Sequence, residues 1–173
     1  MSAKIKEYPG NEVELSDLKK GAVPTIRMRP SAKYSFSAGI AMSRFLKELK
    51  NGRILATKCH KCERIMVPPR VFCEQCFKPM DEWVYLKDTG RVNTYSVSFI
   101  TADATRVKEP IIVAIIEIDG ASKGMGILHT IGEINWKKVK FGMQVKAVWK
   151  PAKERQGTIT DIKYFKPLKK GEE

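Results

Sequence analysis

From residue 82 onward the apolar positions fall in short runs rich in β-branched and aromatic residues. EWVYLKD, RVNTYSVSFI, PIIVAIIEID, SKGMGILHT, MQVKAVWK and GTITDIKYFK read as strands. Asp88-Thr89-Gly90, Asp119-Gly120 and Arg155-Gln156-Gly157 punctuate them as turns. Asp119-Gly120 between two apolar runs predicts a hairpin, because both residues accept the positive φ that a tight turn needs. Five or so strands suit a small barrel, since a sandwich usually needs about seven. Upstream, SAGIAMSRFLKELKNG changes period. Met42, Phe45, Leu46 and Leu49 share one face of a helix. Ser37 is its expected N-cap and Asn51-Gly52 its stop. That apolar face has two uses, packing on its own domain's core or presentation to a partner.

Residues 1–36 show no such order. Pro9, Gly10, Gly21, Pro24 and Pro30 stand among charged residues. NEVELSDLKK suits a short helix, and PTIRMRPSAKYSF suits extended chain, because each proline lacks a donor and disfavours helix before it. The expected organisation is mainly β. An extended or partly helical arm (1–36) leads to a helix (37–52), a metal module (53–81), a β-barrel domain (82–168) and a polar tail (169–173).

The metal module carries the sharpest chemical signal. Cys59, Cys62, Cys73 and Cys76 are spaced C-x2-C-x10-C-x2-C. Each C-x2-C pair folds as a knuckle that aims two thiolates at one ion, and two facing knuckles give the closed tetrahedral set of structural zinc. Rubredoxin-type iron uses the same four sulfurs, and spacing does not separate the two. The spacer predicts one hairpin, with Ile65–Val67 and Val71-Phe72 turning at Pro68-Pro69. So small a module buries too little apolar surface alone, so the metal supplies folding energy. Knuckles favour glycine after the second cysteine, where φ is positive. Here Glu63 and Phe77 stand there. With all four positions filled by sulfur, no site remains for a reactive water. His60, between two ligands, is expected to face solvent.

Composition narrows the setting. The chain has 173 residues, 43% hydrophobic and 29% charged, as expected of a folded protein. No apolar run reaches the roughly 18 residues of a membrane helix. MSAKIKEYPGNEVEL lacks the apolar core of a secretory leader, so a reducing cytoplasm is the expected compartment. Such a compartment disfavours disulfides between the cysteines. The formal charge of +13, from 32 Lys+Arg against 19 Asp+Glu, attracts phosphates of any origin. It also suits a lysine-rich protein of a hot-living organism, in which Asn and Gln are scarce.

Catalytic motifs are missing. There is no Gly-x-Ser-x-Gly elbow and no Walker loop. Lys123-Gly124-Met125-Gly126 reads as a bent strand that allows close backbone approach, with no helix start after it. Ser122 and His129 form no legible pair. An independent active site is not expected.

The order of parts then points to a family. FLKELKNGRILATKCHKCERIMVPPRVFCEQC, KDTGRVNTYSVSF, IVAIIEIDGASKGMGIL and ITDIKYFKP together resemble the archaeal and bacterial proteins catalogued as domain-of-unknown-function family thirty-five. The likeness spans about residues 37–168, with Cys59–Cys76 and Pro68-Pro69-Arg70 its most specific stretch. It implies a rubredoxin-like zinc ribbon followed by an OB-fold barrel. It implies a non-catalytic accessory protein that binds acyl-CoA or bridges acyl-CoA enzymes, here acetoacetyl-CoA thiolase and HMG-CoA synthase. Structural Zn2+ and coenzyme A or acyl-CoA are the implied cofactor and ligand. For the ligand, Arg64, Arg70 and Arg91 at the ribbon–barrel junction are candidates for the coenzyme A phosphates, and Phe72 and Trp83 for its pantetheine arm.

The alternative reading is single-stranded nucleic-acid binding. OB barrels use basic grooves and stacking aromatics for it. Tyr95, Phe99, Trp149 and Tyr164 lie on the predicted strands, where aromatics also build cores.

Overall fold

The structure is a computed structural model that describes residues 13–24, 26, 28 and 30–168. The tail expected at 169–173 and the start of the arm lie outside the described residues. The chain divides into two units, residues 1–36 and 37–173.

In the first unit, Leu15–Lys20 forms a short helix, α1. Glu14 and Asp17 make a reciprocal capping box at its start, and Gly21, at φ 70°, closes it. The remainder described is irregular. Ile26, Met28, Tyr34 and Phe36 are all exposed there.

The second unit begins with α2, Gly39–Lys50. The Ser37 hydroxyl accepts from the Gly39 N–H at 3.3 Å, so it serves the helix start from one residue farther out than a standard cap. Phe45 and Leu49 are buried, and the face they define packs on β1, Ile54–Lys58. The first of the two expected uses is therefore realised. Each such side chain contributes about 1.5–3 kcal/mol through burial.

β1 is the central strand of a three-stranded antiparallel sheet. β2, Ile65–Met66, lies on one side and β3, Glu82–Leu86, on the other. The hairpin expected within the cysteine spacer is not formed. β2 pairs with β1, and Phe72 bridges to Pro79. Pro68 and Pro69 lack N–H donors, so the chain between them cannot sustain a ladder. The buried Thr57 hydroxyl replaces that ladder. It donates to the Arg70 carbonyl at 3.0 Å and accepts from the Arg70 N–H at 3.1 Å.

The larger sheet comprises β4 (Thr89–Ile100), β5 (Arg106–Ile118), β6 (Gly126–Thr130), β7 (Gln144–Trp149) and β8 (Ile162–Pro167). Its order is β6-β5-β4-β7-β8, all antiparallel neighbours. The sheet curls until β6 and β8 approach. One parallel bridge, Ile131 to Phe165, and the Gly132 N–H to Phe165 carbonyl bond at 2.8 Å join them. The topology is that of an OB-fold, a partly open five-stranded barrel. It is left open along the β6–β8 seam rather than closed by a full ladder.

Gly126 opens β6. A Cβ there would lie 2.5 Å from the Ile116 carbonyl oxygen, so the close approach expected of the glycine pair is real at this position. One apolar core unites helix, small sheet and barrel, with Phe45, Leu49, Ile54, Leu55, Val67, Val92, Ile116 and Phe165 among its members.

Candidate metal centre and its surroundings

The two knuckles repeat one backbone pattern. The Cys59 N–H donates to the Arg64 carbonyl, and the Cys73 N–H to the Lys78 carbonyl, each at 2.9 Å. The residue after each second cysteine has positive φ, 54° at Glu63 and 55° at Phe77. The sequence lacks the usual glycines, yet the left-handed turn is kept. A non-glycine residue there costs about 1–2 kcal/mol. Glu63 offsets part of this through an ion pair with Lys58 at 2.5 Å. Phe77 has no such compensation and is 78% exposed.

All four sulfurs lie within 4.8 Å of one another, and Cys59 Sγ stands 3.6 Å from Cys76 Sγ. Four sulfurs about 2.3 Å from one zinc ion stand about 3.8 Å apart. The residues present therefore fit a tetrahedral four-thiolate ion. Cys59 and Cys73 are buried, and Met66 and Met80 complete a small apolar shell with Met125 against it. Without a cation, so crowded a set holds its protons unevenly. Backbone N–H groups of Cys76 and Gln75 lower Cys73 to about 7. The hydrogen bond to Cys76, and then burial, push Cys62 up to about 12. A cation supplies the charge that lets all four become thiolates.

His60 is no part of this set. It is exposed and meets Asp81 at 2.9 Å and Glu82 at 3.5 Å. Ser122 and His129 are not brought together. Ser122 bonds to Ile65 in β2, whereas His129 reaches the Ile159 carbonyl.

The candidate ligand residues occupy two places. Arg64 and Arg70 converge on Glu74, at 2.6 and 3.5 Å. The Arg64 side chain is 19% exposed and the Arg70 side chain 60%. Arg91 lines a separate cleft of about 280 Å³ with Glu117, Asp119, Ser122 and Lys123. Phe72 is exposed. The Trp83 ring carries the Arg44 guanidinium 4.3 Å from its centroid, which occupies one face.

The four barrel aromatics do not make a row of free rings. Tyr95 packs on Phe141 and donates to the Val139 carbonyl at 3.1 Å. Trp149 donates to Asp88 at 3.3 Å, and Tyr164 to Glu133 at 2.7 Å. Phe99 meets Trp136 edge-on. Among the described residues no helix is long and apolar enough to cross a membrane.

Sequence reasoning missed two features. One is the Thr57–Arg70 clasp. The other is a cleft of about 380 Å³ at the β6–β8 seam, lined in part by Leu128, His129, Ile159 and Lys163. Its walls come from distant segments, and no spacing in the sequence announces it.

Comparison with known proteins agrees with this architecture. Residues 46–81 match the family model for the rubredoxin-like zinc ribbon domain of ChsH2, and residues 83–150 that for the ChsH2 C-terminal OB-fold domain. A DUF35 domain-containing scaffold protein of Methanocaldococcus jannaschii is 31% identical over 118 residues, 66% of this chain and 82% of that protein. One of Methanothermobacter thermautotrophicus is 26% identical over 117 residues, 66% of this chain and 86% of that protein. The crystal structure of a DUF35-family protein of unknown function from Sulfolobus solfataricus aligns with TM-score 0.55 and 31% identity, covering 64% of this chain and 78% of that one. The Ltp2–ChsH2(DUF35) aldolase aligns with the same TM-score at 20% identity, covering 80% of this chain and 98% of that one; it is a likeness of fold.

Proposed function

This chain belongs to the DUF35 family, and we propose that it is a non-catalytic scaffold that holds acyl-CoA enzymes together. The observation that carries the reading is the row of exposed large apolar side chains at Ile26, Met28, Tyr34 and Phe36. Tyr34 and Phe36 meet edge-on with ring centroids 5.4 Å apart, which gathers exposed apolar surface there of the kind that other proteins cover. Two curated relatives named scaffold proteins support the same reading. The four cysteines support it too, since a structural zinc ion on four thiolates has no open position for chemistry.

The partners we assign are an acetoacetyl-CoA thiolase and an HMG-CoA synthase, enzymes that handle the same acyl-CoA. Coenzyme A carries a pyrophosphate and a 3′-phosphate, which arginine holds by charge-assisted bonds. Arg70 and Arg91 are the more accessible of the three candidate arginines, while Arg64 is mostly buried and held by Glu74 at 2.6 Å, closer than the 3.5 Å of Arg70. Phe72, exposed and next but one to Arg70 in sequence, is the apolar candidate for the pantetheine arm.

The test is reconstitution. The metal-loaded chain is mixed with a thiolase and an HMG-CoA synthase from the same source, and complexes are sized by light scattering. A ternary complex that needs this chain is expected, together with saturable acetyl-CoA binding weakened by Arg70→Ala or Arg91→Ala. Failure to bind either enzyme at moderate salt rejects the scaffold reading.

A further inference from the structure

The cleft at the open seam of the barrel is a second candidate site, independent of any bridging role. Its floor is apolar, from Val113 of β5, Leu128 of β6, Ile159 and Ile162. Leu128 is 65% exposed, so its side chain is open to a ligand in the cleft. Lys150 and Lys163 stand at the rim, with no carboxylate within 4.0 Å among the described residues. Two lysines without a carboxylate partner, Lys163 with its Nζ 5.7 Å from the Tyr164 ring centroid, beside an apolar lining complement a negative head group on an apolar body.

The seam itself explains why the cleft exists. β6 and β8 meet through one bridge at Ile131–Phe165, so the chain before that bridge gapes. His129 spans the gap, its Nε2 lying 3.3 Å from the Ile159 carbonyl. Its Nδ1 lies 2.9 Å from the Thr130 backbone nitrogen, so both ring nitrogens are engaged and the ring acts as a strut. Asp161 holds the opposite wall by accepting the backbone N–H groups of Gln156, Gly157 and Thr158. The walls are thus built before any ligand arrives.

We infer that this cleft binds a small amphipathic anion, with its head group on Lys150 and Lys163 and its apolar arm on Leu128, Ile159 and Val113. A cleft of about 380 Å³ lies within the range of small-molecule sites, roughly 300–1,000 Å³. Phosphate and carboxylate heads share the needed chemistry.

The experiment uses the full, metal-loaded chain labelled with ¹⁵N. It is titrated with n-hexyl phosphate, hexanoate, n-hexanol, inorganic phosphate and an oligothymidylate. Saturable shifts confined to the amides of 128–130 and 159–163 are expected with hexyl phosphate or hexanoate, and the stronger of the two identifies the head group. Lys150→Gln and Lys163→Gln should each weaken binding about tenfold, the loss of one hydrogen bond to a charged group. Leu128→Ser should weaken it with the spectrum otherwise intact, which separates lost contact from lost fold. Equal binding of hexanol, no saturable shift with either anion, or tighter capture of the oligonucleotide at the same amides would overturn the proposal.

Discussion

Ile65 and Ser122 are joined by two reciprocal hydrogen bonds across the junction of ribbon and barrel. The Ile65 N–H donates to the Ser122 hydroxyl at 2.9 Å, and the Ser122 N–H donates to the Ile65 carbonyl at 3.0 Å. The loop after β5 thereby extends the free edge of β2, and Met125 from the same loop packs against the cysteine cluster. A serine that invites a catalytic reading in the sequence is a staple in the fold.

Ser122→Ala should lower stability by about 1–2 kcal/mol, because the half-buried Ile65 N–H loses its acceptor. Denaturant unfolding measures the loss, and faster exchange of the Ile65 amide locates it. Metal content should not change. An unchanged unfolding midpoint would show that the hydroxyl contributes nothing to the junction.

Cys73→Ser should abolish stoichiometric metal and unfold the ribbon, since the module depends on the ion for its fold. Elemental analysis reads the first effect and amide exchange at β1 and β2 the second. The same analysis on the unaltered chain separates zinc from iron. Wild-type metal content and thermal stability in the variant would refute the four-thiolate centre.

Phe77→Gly should raise stability by about 0.5–1 kcal/mol, since glycine adopts positive φ without the Cβ penalty but gives back part of the gain as unfolded-state entropy. Phe77 is 78% exposed, so little packing is lost. Glu63→Gly should gain less, because it also removes the ion pair with Lys58. Urea midpoints of the two variants compare them directly, and equal gains would remove the role assigned to the ion pair.

Asp161 predicts an acid limb in the stability profile. Burial works to raise its pKa, but the backbone N–H groups of Gln156, Gly157 and Thr158, with the Thr158 hydroxyl, outweigh it and hold the carboxyl below its ordinary value. Its contribution is therefore complete above the usual carboxylate range, about pH 4, and is lost as pH falls through the depressed native value. Asp161→Asn should cost about 2–3 kcal/mol at neutral pH, because a charge-assisted acceptor is replaced by a weaker one. It should also flatten the fall of the unfolding midpoint below about pH 4, where the native carboxylate would otherwise take up its proton. An Asn variant with the wild-type acid profile would assign that limb elsewhere.

The sequence alone determined the parts whose physics is local. Two cysteine pairs with short spacing suit one ion held by four sulfurs, so the candidate metal site was legible without coordinates. The same holds for the helical face of Met42, Phe45, Leu46 and Leu49, and for most of the strand runs from Glu82 to Pro167, although Ile159–Asp161, read as strand, forms a short 3-10 helix before β8. The tertiary structure decided the rest. It paired β2 with β1 across the first cysteine knuckle, Lys58 opposite Ile65, rather than with Val71-Phe72, because two prolines interrupt the chain on that side. It imposed positive φ on Glu63 and Phe77, because bringing four sulfurs together outweighs a modest local penalty. It left the β6–β8 seam open and lined it from separate segments, since how far a curled sheet closes is set by the whole sheet and not by any one strand.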